Sequence, residues 1–119
     1  MEIGTDIVEI ARIRRACRRE RFKQRVFTLR ELPAIQDKPG FYAHLAGKFA
    51  AKEAVAKALG TGFRDFKWKD IEILNDEVGK PYAVLDGKAL ETLKSKGYEK
   101  VLVTISHSDD YAIAFAVAT

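Results

Sequence analysis

The chain is poor in several residue types: among its 119 residues are one cysteine, one methionine, one tryptophan and three prolines. A single cysteine, Cys17, excludes an internal disulfide and a cysteine-based zinc site, and it reads as a small helix residue. No run of about 18 apolar residues occurs, so no membrane span is expected. The opening Met-Glu-Ile-Gly-Thr-Asp is acidic where a secretory signal is basic and then apolar. Export is therefore not expected, and a cytoplasmic location is. Repeats, low-complexity tracts and linkers are also missing, which points to one domain over residues 1–119. There is no Walker A or dinucleotide fingerprint, and Gly60-Thr61-Gly62-Phe63 is too short for a phosphate loop.

What is present is an ordinary globular composition, 47% hydrophobic and 32% charged, with a lopsided charge distribution. Residues 12–30 hold nine basic side chains (Arg12, Arg14, Arg15, Arg18, Arg19, Arg21, Lys23, Arg25 and Arg30) against one acid, Glu20. That surplus of eight leaves the rest of the chain at −4, for a whole-chain charge of +4. Such a block suits an anionic partner: nucleic acid, a membrane surface or an acidic protein. A merely solvated helix face is the plainer alternative, but one acid among nine bases supports little i,i+4 pairing.

Met1 to Val8 alternates as a short strand, with Ile3, Thr5 and Ile7 on one face and Gly4, Asp6 and Val8 on the other. From Ile10 the period becomes helical through Ile13 and Cys17, with a break near Arg19–Arg21 before Phe22, Val26 and Phe27. Thr28-Leu29-Arg30-Glu31 fits a capping box, and Asp37-Lys38-Pro39-Gly40 fits a turn. A long helix is predicted from about Phe41 to Leu59, ending at Gly60 and apolar or alanine on nearly every face, hence central and enclosed. Strands follow at Asp70–Leu74 and Tyr82–Leu85 around a turn at Asn75–Pro81. An amphipathic helix over Asp86–Gly97 precedes a closing hairpin, Lys100–His107 and Tyr111–Ala118. The last strand places Tyr111, Ile113, Phe115 and Val117 on one face and Ala112, Ala114, Ala116 and Ala118 on the other, where a helix can approach closely. The expected fold is α+β, an antiparallel sheet packed on the long central helix.

Three polar residues interrupt apolar elements: Asp6 in the first strand, Glu53 in the long helix and His107 at the end of a strand. At 100° per residue, Tyr42, Ala46, Phe49, Ala50, Ala56 and Lys57 lie within about 60° of Glu53. The plain reading is a Glu53–Lys57 pair on a helix edge, with Asp6 capping a strand end and His107 a hydrogen-bonded edge residue. The functional reading is two carboxylates holding Mg²⁺ beside a lysine for an anion, since Mg²⁺ takes only one or two protein oxygens. His107 then binds a phosphate or shuttles a proton. A triad of His107, Ser108 and Asp109 is disfavoured because neighbours on a strand point to opposite faces.

Two stretches taken together carry a family resemblance: Gly4-Thr5-Asp6-Ile7-Val8-Glu9-Ile10-Ala11-Arg12-Ile13, and Leu45-Ala46-Gly47-Lys48-Phe49-Ala50-Ala51-Lys52-Glu53-Ala54-Val55-Ala56-Lys57-Ala58. The chain resembles the phosphopantetheinyl transferase superfamily. Its shortness and closing Thr104-Ile105-Ser106-His107-Ser108 resemble the small bacterial branch, the synthases that form holo-acyl carrier protein. The resemblance implies a 4′-phosphopantetheinyl transferase fold and transfer of 4′-phosphopantetheine from coenzyme A to a serine of apo-acyl carrier protein. Adenosine 3′,5′-bisphosphate would be released, in the service of fatty acid biosynthesis. It makes Asp6 and Glu53 the Mg²⁺ ligands and Lys57 the lysine at the pyrophosphate. His107, Lys48 and the turn Gly79-Lys80-Pro81 become coenzyme A contacts. It also implies a homotrimer with active sites between subunits, Asp6 and His107 coming from one chain and the long helix from its neighbour. Where relatives carry arginines near the Leu-Ala-Gly stretch, this chain offers Lys38, His44 and Lys48, and a lysine cannot fork two phosphate oxygens as arginine does.

Within that reading Glu53 is the preferred base for the serine proton, with Asp6 the alternative. The arginine block becomes a dock for an acidic carrier, drawn from Arg12, Arg14, Arg15, Arg18, Arg19 and Arg21 with Phe22 as apolar anchor. Two other readings remain. A nucleic-acid module would use the same arginines with steep salt dependence, but leaves Asp6, Glu53 and His107 without a role. A transferase serving carrier domains of peptide or polyketide synthases would keep the chemistry and change the partner.

Overall fold

A computed structural model describes residues 1–32 and 40–119. The turn expected at Asp37–Gly40, and Lys38 with it, falls outside the described residues apart from Gly40. In chain order the elements are β1 (Glu2–Glu9), α1 (Ile10–Ala16), α2 (Glu20–Val26), a 3-10 turn (Leu29–Glu31) and α3 (Phe41–Leu59). Two further 3-10 turns (Gly62–Arg64 and Trp68–Asp70) lead into β2 (Ile71–Asn75), β3 (Pro81–Leu85), α4 (Gly87–Ser95), β4 (Val101–His107) and β5 (Tyr111–Ala118). The five strands divide into a three-stranded antiparallel sheet, ordered β1-β5-β4, and a two-stranded β2-β3 hairpin.

α3 is the centre of the molecule. Alanine dominates its sequence and no proline interrupts it, so propensity favours the helix throughout. It stops at Gly60, whose φ of +85° suits the left-handed C-terminal position. Leu45, Ala46, Ala50, Ala51, Ala54, Val55, Ala56 and Leu59 are all fully buried. One side of α3 meets the three-stranded sheet through the alanines of β5, Ala112, Ala114, Ala116 and Ala118, none of them more than 2% exposed. Because these side chains are small, helix and sheet sit backbone to backbone. The extreme case is Gly4 on β1, where a Cβ would stand 2.0 Å from the Ala54 carbonyl oxygen and 2.7 Å from the Ala58 nitrogen. Any side chain there would drive β1 off the helix.

The other side of α3 is tied down by a buried ion pair. Lys52 Nζ lies 2.8 Å from Glu31 Oε1, and both side chains are fully enclosed. The ammonium also reaches the carbonyls of Val26, Trp68 and Ile71 at 2.7–3.2 Å. Glu31 completes the capping box on Thr28 and accepts from the Ile73 amide at 2.9 Å. A pair this fully satisfied fixes α2, the 3-10 turns at Leu29–Glu31 and Trp68–Asp70, and β2 against one point of α3. Burial still holds the Lys52 pKa below the ordinary lysine value, with Glu31 and then Glu72 opposing that shift. Breaking a buried pair strands the remaining charge, so Lys52→Met is expected to cost about 3–5 kcal/mol of unfolding free energy. Urea denaturation measures this, and a loss under about 1 kcal/mol would show that the pair does not hold these segments together.

Candidate active site

Close packing of β1 on α3 brings Asp6 to the C-terminal half of the helix. Gly4, Asp6 and Val8 share the strand face turned towards α3, and the missing side chain at Gly4 lets that face close down. Lys57 Nζ then lies 3.3 Å from Asp6 Oδ1 and donates to the Thr5 carbonyl at 3.0 Å. Glu53, one turn earlier on α3, is half-buried in the same neighbourhood. Burial raises its carboxyl pKa, the Asp6 charge raises it further, and Lys57 and Arg12 pull the other way. Asp6, Glu53, Lys57 and Arg12 therefore form one electrostatic cluster within a single chain.

Three expectations change at this point. Lys57 does not pair with Glu53: its ammonium is drawn to Asp6 and the Thr5 carbonyl, because β1 lies closer to the lysine tip than the turn of helix below it. Nor does the long helix need a neighbouring chain to meet Asp6, since Gly4 puts both in the same one. Asp6 also sits mid-strand, not at a strand end. His107 is the residue that stands apart. It belongs to the face of β4 that carries Val101, Val103 and Ile105, but it is exposed at the far end, with Nδ1 3.4 Å from the Ser108 carbonyl oxygen. The Ser108 hydroxyl accepts from the amides of Asp110 and Tyr111 at 3.4 and 3.2 Å and so closes the β4–β5 turn.

His107 instead joins a cavity of about 430 Å³ at the N-terminal end of α3, lined also by His44, Gly47, Lys48, Asn75, Gly79 and Pro81. A second lobe of about 450 Å³ shares His44, Lys48, Asn75 and Gly79 and adds Arg30, Glu31, Leu74 and Tyr82. Both volumes suit a small-molecule ligand. Gly79 reaches the cavity because its φ of +86° closes the β2–β3 turn, where Asp76 caps the amides of Val78 and Lys80. Lys80 is exposed and does not line either lobe. Lys48 is nearly enclosed, with Nζ 3.3 Å from the Glu31 carbonyl oxygen, and burial lowers its pKa against opposing pulls from Glu31 and Glu72.

Helix geometry separates this cavity from the carboxylates: His44 lies about 180° and Lys48 about 140° around α3 from Glu53. The acidic cluster and the cavity thus face different ways on one chain. Arg30, Asn75 and Tyr82 were not anticipated from the sequence. Arg30 reads there as one more base of a charged run, yet it forks onto Glu72 at 3.0 and 3.2 Å.

A third surface lies along the basic segment. Arg12, Arg15, Arg19 and Phe22 border a cleft of about 310 Å³ against Phe49. Phe22 is half-buried, with its ring 6.2 Å from Phe49. Arg14 lies over the Tyr42 ring at 5.4 Å. Among the described residues none of Arg12, Arg14, Arg15, Arg18, Arg19 and Arg21 has a carboxylate within 4.0 Å, so their charge faces outward unpaired.

The residue pattern and this geometry meet in one family: residues 2–116 match the model of the 4′-phosphopantetheinyl transferase superfamily, and the chain belongs to it. Among curated relatives it is 53% identical to a holo-[acyl-carrier-protein] synthase of Alkaliphilus metalliredigens, over 98% of this chain and 97% of that one. The holo-[acyl-carrier-protein] synthase structure from Neisseria meningitidis superposes with a TM-score of 0.89 at 36% identity, covering 99% and 97% of the two chains. The Helicobacter pylori holo-[acyl-carrier-protein] synthase, solved in complex with coenzyme A, gives 0.83 at 32% identity, covering 98% and 99%.

Among the described residues no group of three or more histidine, cysteine, aspartate or glutamate side chains forms a ready metal cage. Two neighbouring carboxylates, of which Glu53 is made harder to ionise by burial and by the Asp6 charge, do fit a hard divalent cation, which completes its shell with phosphate and water oxygens. The sign of the Glu53 shift gives a test. A carboxyl raised in the folded state adds most stability below its unfolded pKa and loses that contribution as pH rises through the folded value. At pH 7 the ionised Glu53 is therefore a burden on the metal-free protein. Glu53→Gln is expected to stabilise the metal-free chain at pH 7 by about 0.5–1 kcal/mol, roughly 2–6 °C in Tm. Millimolar Mg²⁺ should then raise the wild-type Tm and leave that of the variant unchanged, and equal responses would rule out Glu53 as a ligand.

Proposed function

We propose that the chain is a holo-(acyl-carrier-protein) synthase, moving 4′-phosphopantetheine from coenzyme A to a serine of apo-acyl carrier protein. The observation that carries the reading is the cluster of Asp6, Glu53 and Lys57 beside an outward-facing arginine surface, in a chain whose relatives at about half identity bear that name. In the reaction the serine oxygen forms a bond to the phosphorus bearing the pantetheine arm. The bond from that phosphorus to the bridging oxygen breaks, and adenosine 3′,5′-bisphosphate departs with the electron pair. Glu53 takes the serine proton; its carboxyl, raised by burial, is a better base than an exposed glutamate, and Asp6 is the alternative acceptor. Lys57, held by Asp6 and the Thr5 carbonyl, is a preorganised cation for charge on the departing phosphate. Mg²⁺ held by Asp6 and Glu53 would neutralise pyrophosphate oxygen charge.

The cavity of His107, Lys48, Gly79 and Pro81 is the proposed seat of the coenzyme's nucleotide half, with Lys80 on its outer rim. Since it faces away from Glu53, a complete site takes the acidic cluster of one protomer and the cavity of another. The exposed face of the three-stranded sheet supports such assembly: Ile3, Ile7, Leu102, Tyr111, Ile113 and Phe115 are 41–61% exposed and lie on one surface. A contiguous apolar face of this kind marks an interface, and a homotrimer is the assembly proposed. The arginine cleft is the proposed dock for the acidic carrier, with Phe22 at its floor. A place in fatty acid biosynthesis and a cytoplasmic location complete the proposal.

A transfer assay with coenzyme A and apo-acyl carrier protein tests the activity directly. Glu53→Gln should fold and lose turnover by about 100-fold or more, and near-normal transfer would remove it as the base. Charge reversal at Arg12 and Arg19 should raise KM for the carrier at least about tenfold while KM for coenzyme A stays within about twofold. Equal effects on both substrates would count against the dock. For the assembly, Phe115→Lys should reduce the sedimenting mass from three times 13.4 kDa to one, with activity lost in parallel. A wild-type chain that sediments as a monomer and still transfers would defeat the shared site.

A further inference from the structure

The two lobes beside the N-terminal half of α3 share His44, Lys48, Asn75 and Gly79, so they form a single compartment. Among the described residues, the charged or titratable groups facing it are Arg30 and Glu31 from the 3-10 turn, His44 and Lys48 from α3, Tyr82 from β3 and His107 from β4. The only carboxylate among them, Glu31, is directed instead at Lys52 and the amides of Thr28 and Ile73. Arg30 is already engaged by Glu72, and Lys48 by the Glu31 carbonyl. The fixed cations are thus partly committed before any ligand enters. A group able to acquire charge on demand lines the same compartment.

His44 is that group. Asn75 donates its amide N–H to the Gly79 carbonyl at 3.0 Å, which assigns its Oδ1 as the atom left for the imidazole. The neighbouring Asn75 side chain favours the protonated ring. Burial, Lys48 and His107 act against it and hold the His44 pKa below 6.5, so the ring is neutral at pH 7 in the free protein. A phosphate dianion entering the compartment reverses the balance: it cancels the repulsion from Lys48 and His107 and leaves the favourable influence of Asn75 in place.

We infer that His44 contacts a phosphate group of the bound nucleotide as an imidazolium, so that ligand entry takes up a proton from solvent. The inference rests on the coenzyme reading of the cavity given above. It makes His44, which belongs to neither stretch that carries the family resemblance, a residue that sets nucleotide affinity as a function of pH. The affinity is highest on the acid side and falls as pH rises through the ligand-bound pKa of the ring.

Calorimetric titration of the full chain with adenosine 3′,5′-bisphosphate tests this, above about pH 7 so that the ligand phosphate stays dianionic. Measurements in two buffers of different ionisation enthalpy give the protons taken up per site. Wild type should take up about half to one proton near pH 7.5, and Kd should weaken about 5- to 10-fold per pH unit above that. His44→Gln keeps a donor for Asn75 but cannot gain charge; uptake should fall close to zero and the pH slope should flatten, with cooperative thermal unfolding retained. His107→Gln should leave most of the uptake intact. Binding without proton uptake in wild type, or undiminished uptake in His44→Gln, overturns the inference and leaves the coenzyme site standing. No binding of the bisphosphate at any pH overturns both.

Discussion

The arrangement of the acidic cluster depends on one close approach, that of Gly4 to the backbone of α3 between Ala54 and Ala58. Nothing larger than hydrogen fits at residue 4, and β5 offers the helix only alanines, Ala112, Ala114, Ala116 and Ala118. The sheet is thereby pressed against the helix with no side-chain layer of ordinary thickness between them. Asp6 is carried by the same strand face, two residues on, and reaches the lysine tip of residue 57 as a direct result. A carboxylate on a strand and another on a helix meet because the backbones that bear them nearly touch.

Three lysines of α3 show how position on a single helix sets chemistry. Lys52 is sealed among carbonyl groups and the Glu31 carboxylate and serves architecture. Lys48, one turn earlier, is nearly as enclosed but borders the cavity it shares with His44 and Asn75, where its charge is held against a single carbonyl. Lys57, near the C-terminal end, is about half exposed and is steadied by β1. The same side chain acts as a core tie, a cavity cation and a half-exposed charge anchored at the carboxylates. The difference lies in which segment packs opposite.

Much of this was readable from residue order. The α3 limits, the break between α1 and α2, the capping box at Thr28 and the alanine face of β5 all follow from short-range pattern, which fixes local conformation and side-chain direction. The family stretches pointed to Asp6, Glu53 and Lys57 together. What pattern could not supply was pairing between distant segments. Glu31 was legible only as a capping residue, although its main partner, Lys52, lies 21 positions away. Arg30 and Glu72 are 42 positions apart and look like unrelated surface charges in the sequence. The division of five strands into two sheets, and the placing of His107 on the opposite side of α3 from Glu53, are likewise long-range outcomes. Periodicity says which way a residue points, but not what it meets.

β5 alternates strictly between alanines and bulky residues, and its two neighbours in the sheet read that alternation from both sides. A slip of one residue in either pairing would turn Ile113 and Phe115 into a gap sized for a methyl group and leave a smooth row of methyls outside. The strand therefore checks its own alignment as the sheet assembles. A misthreaded chain is rejected by steric bulk before any of its chemistry can be displaced.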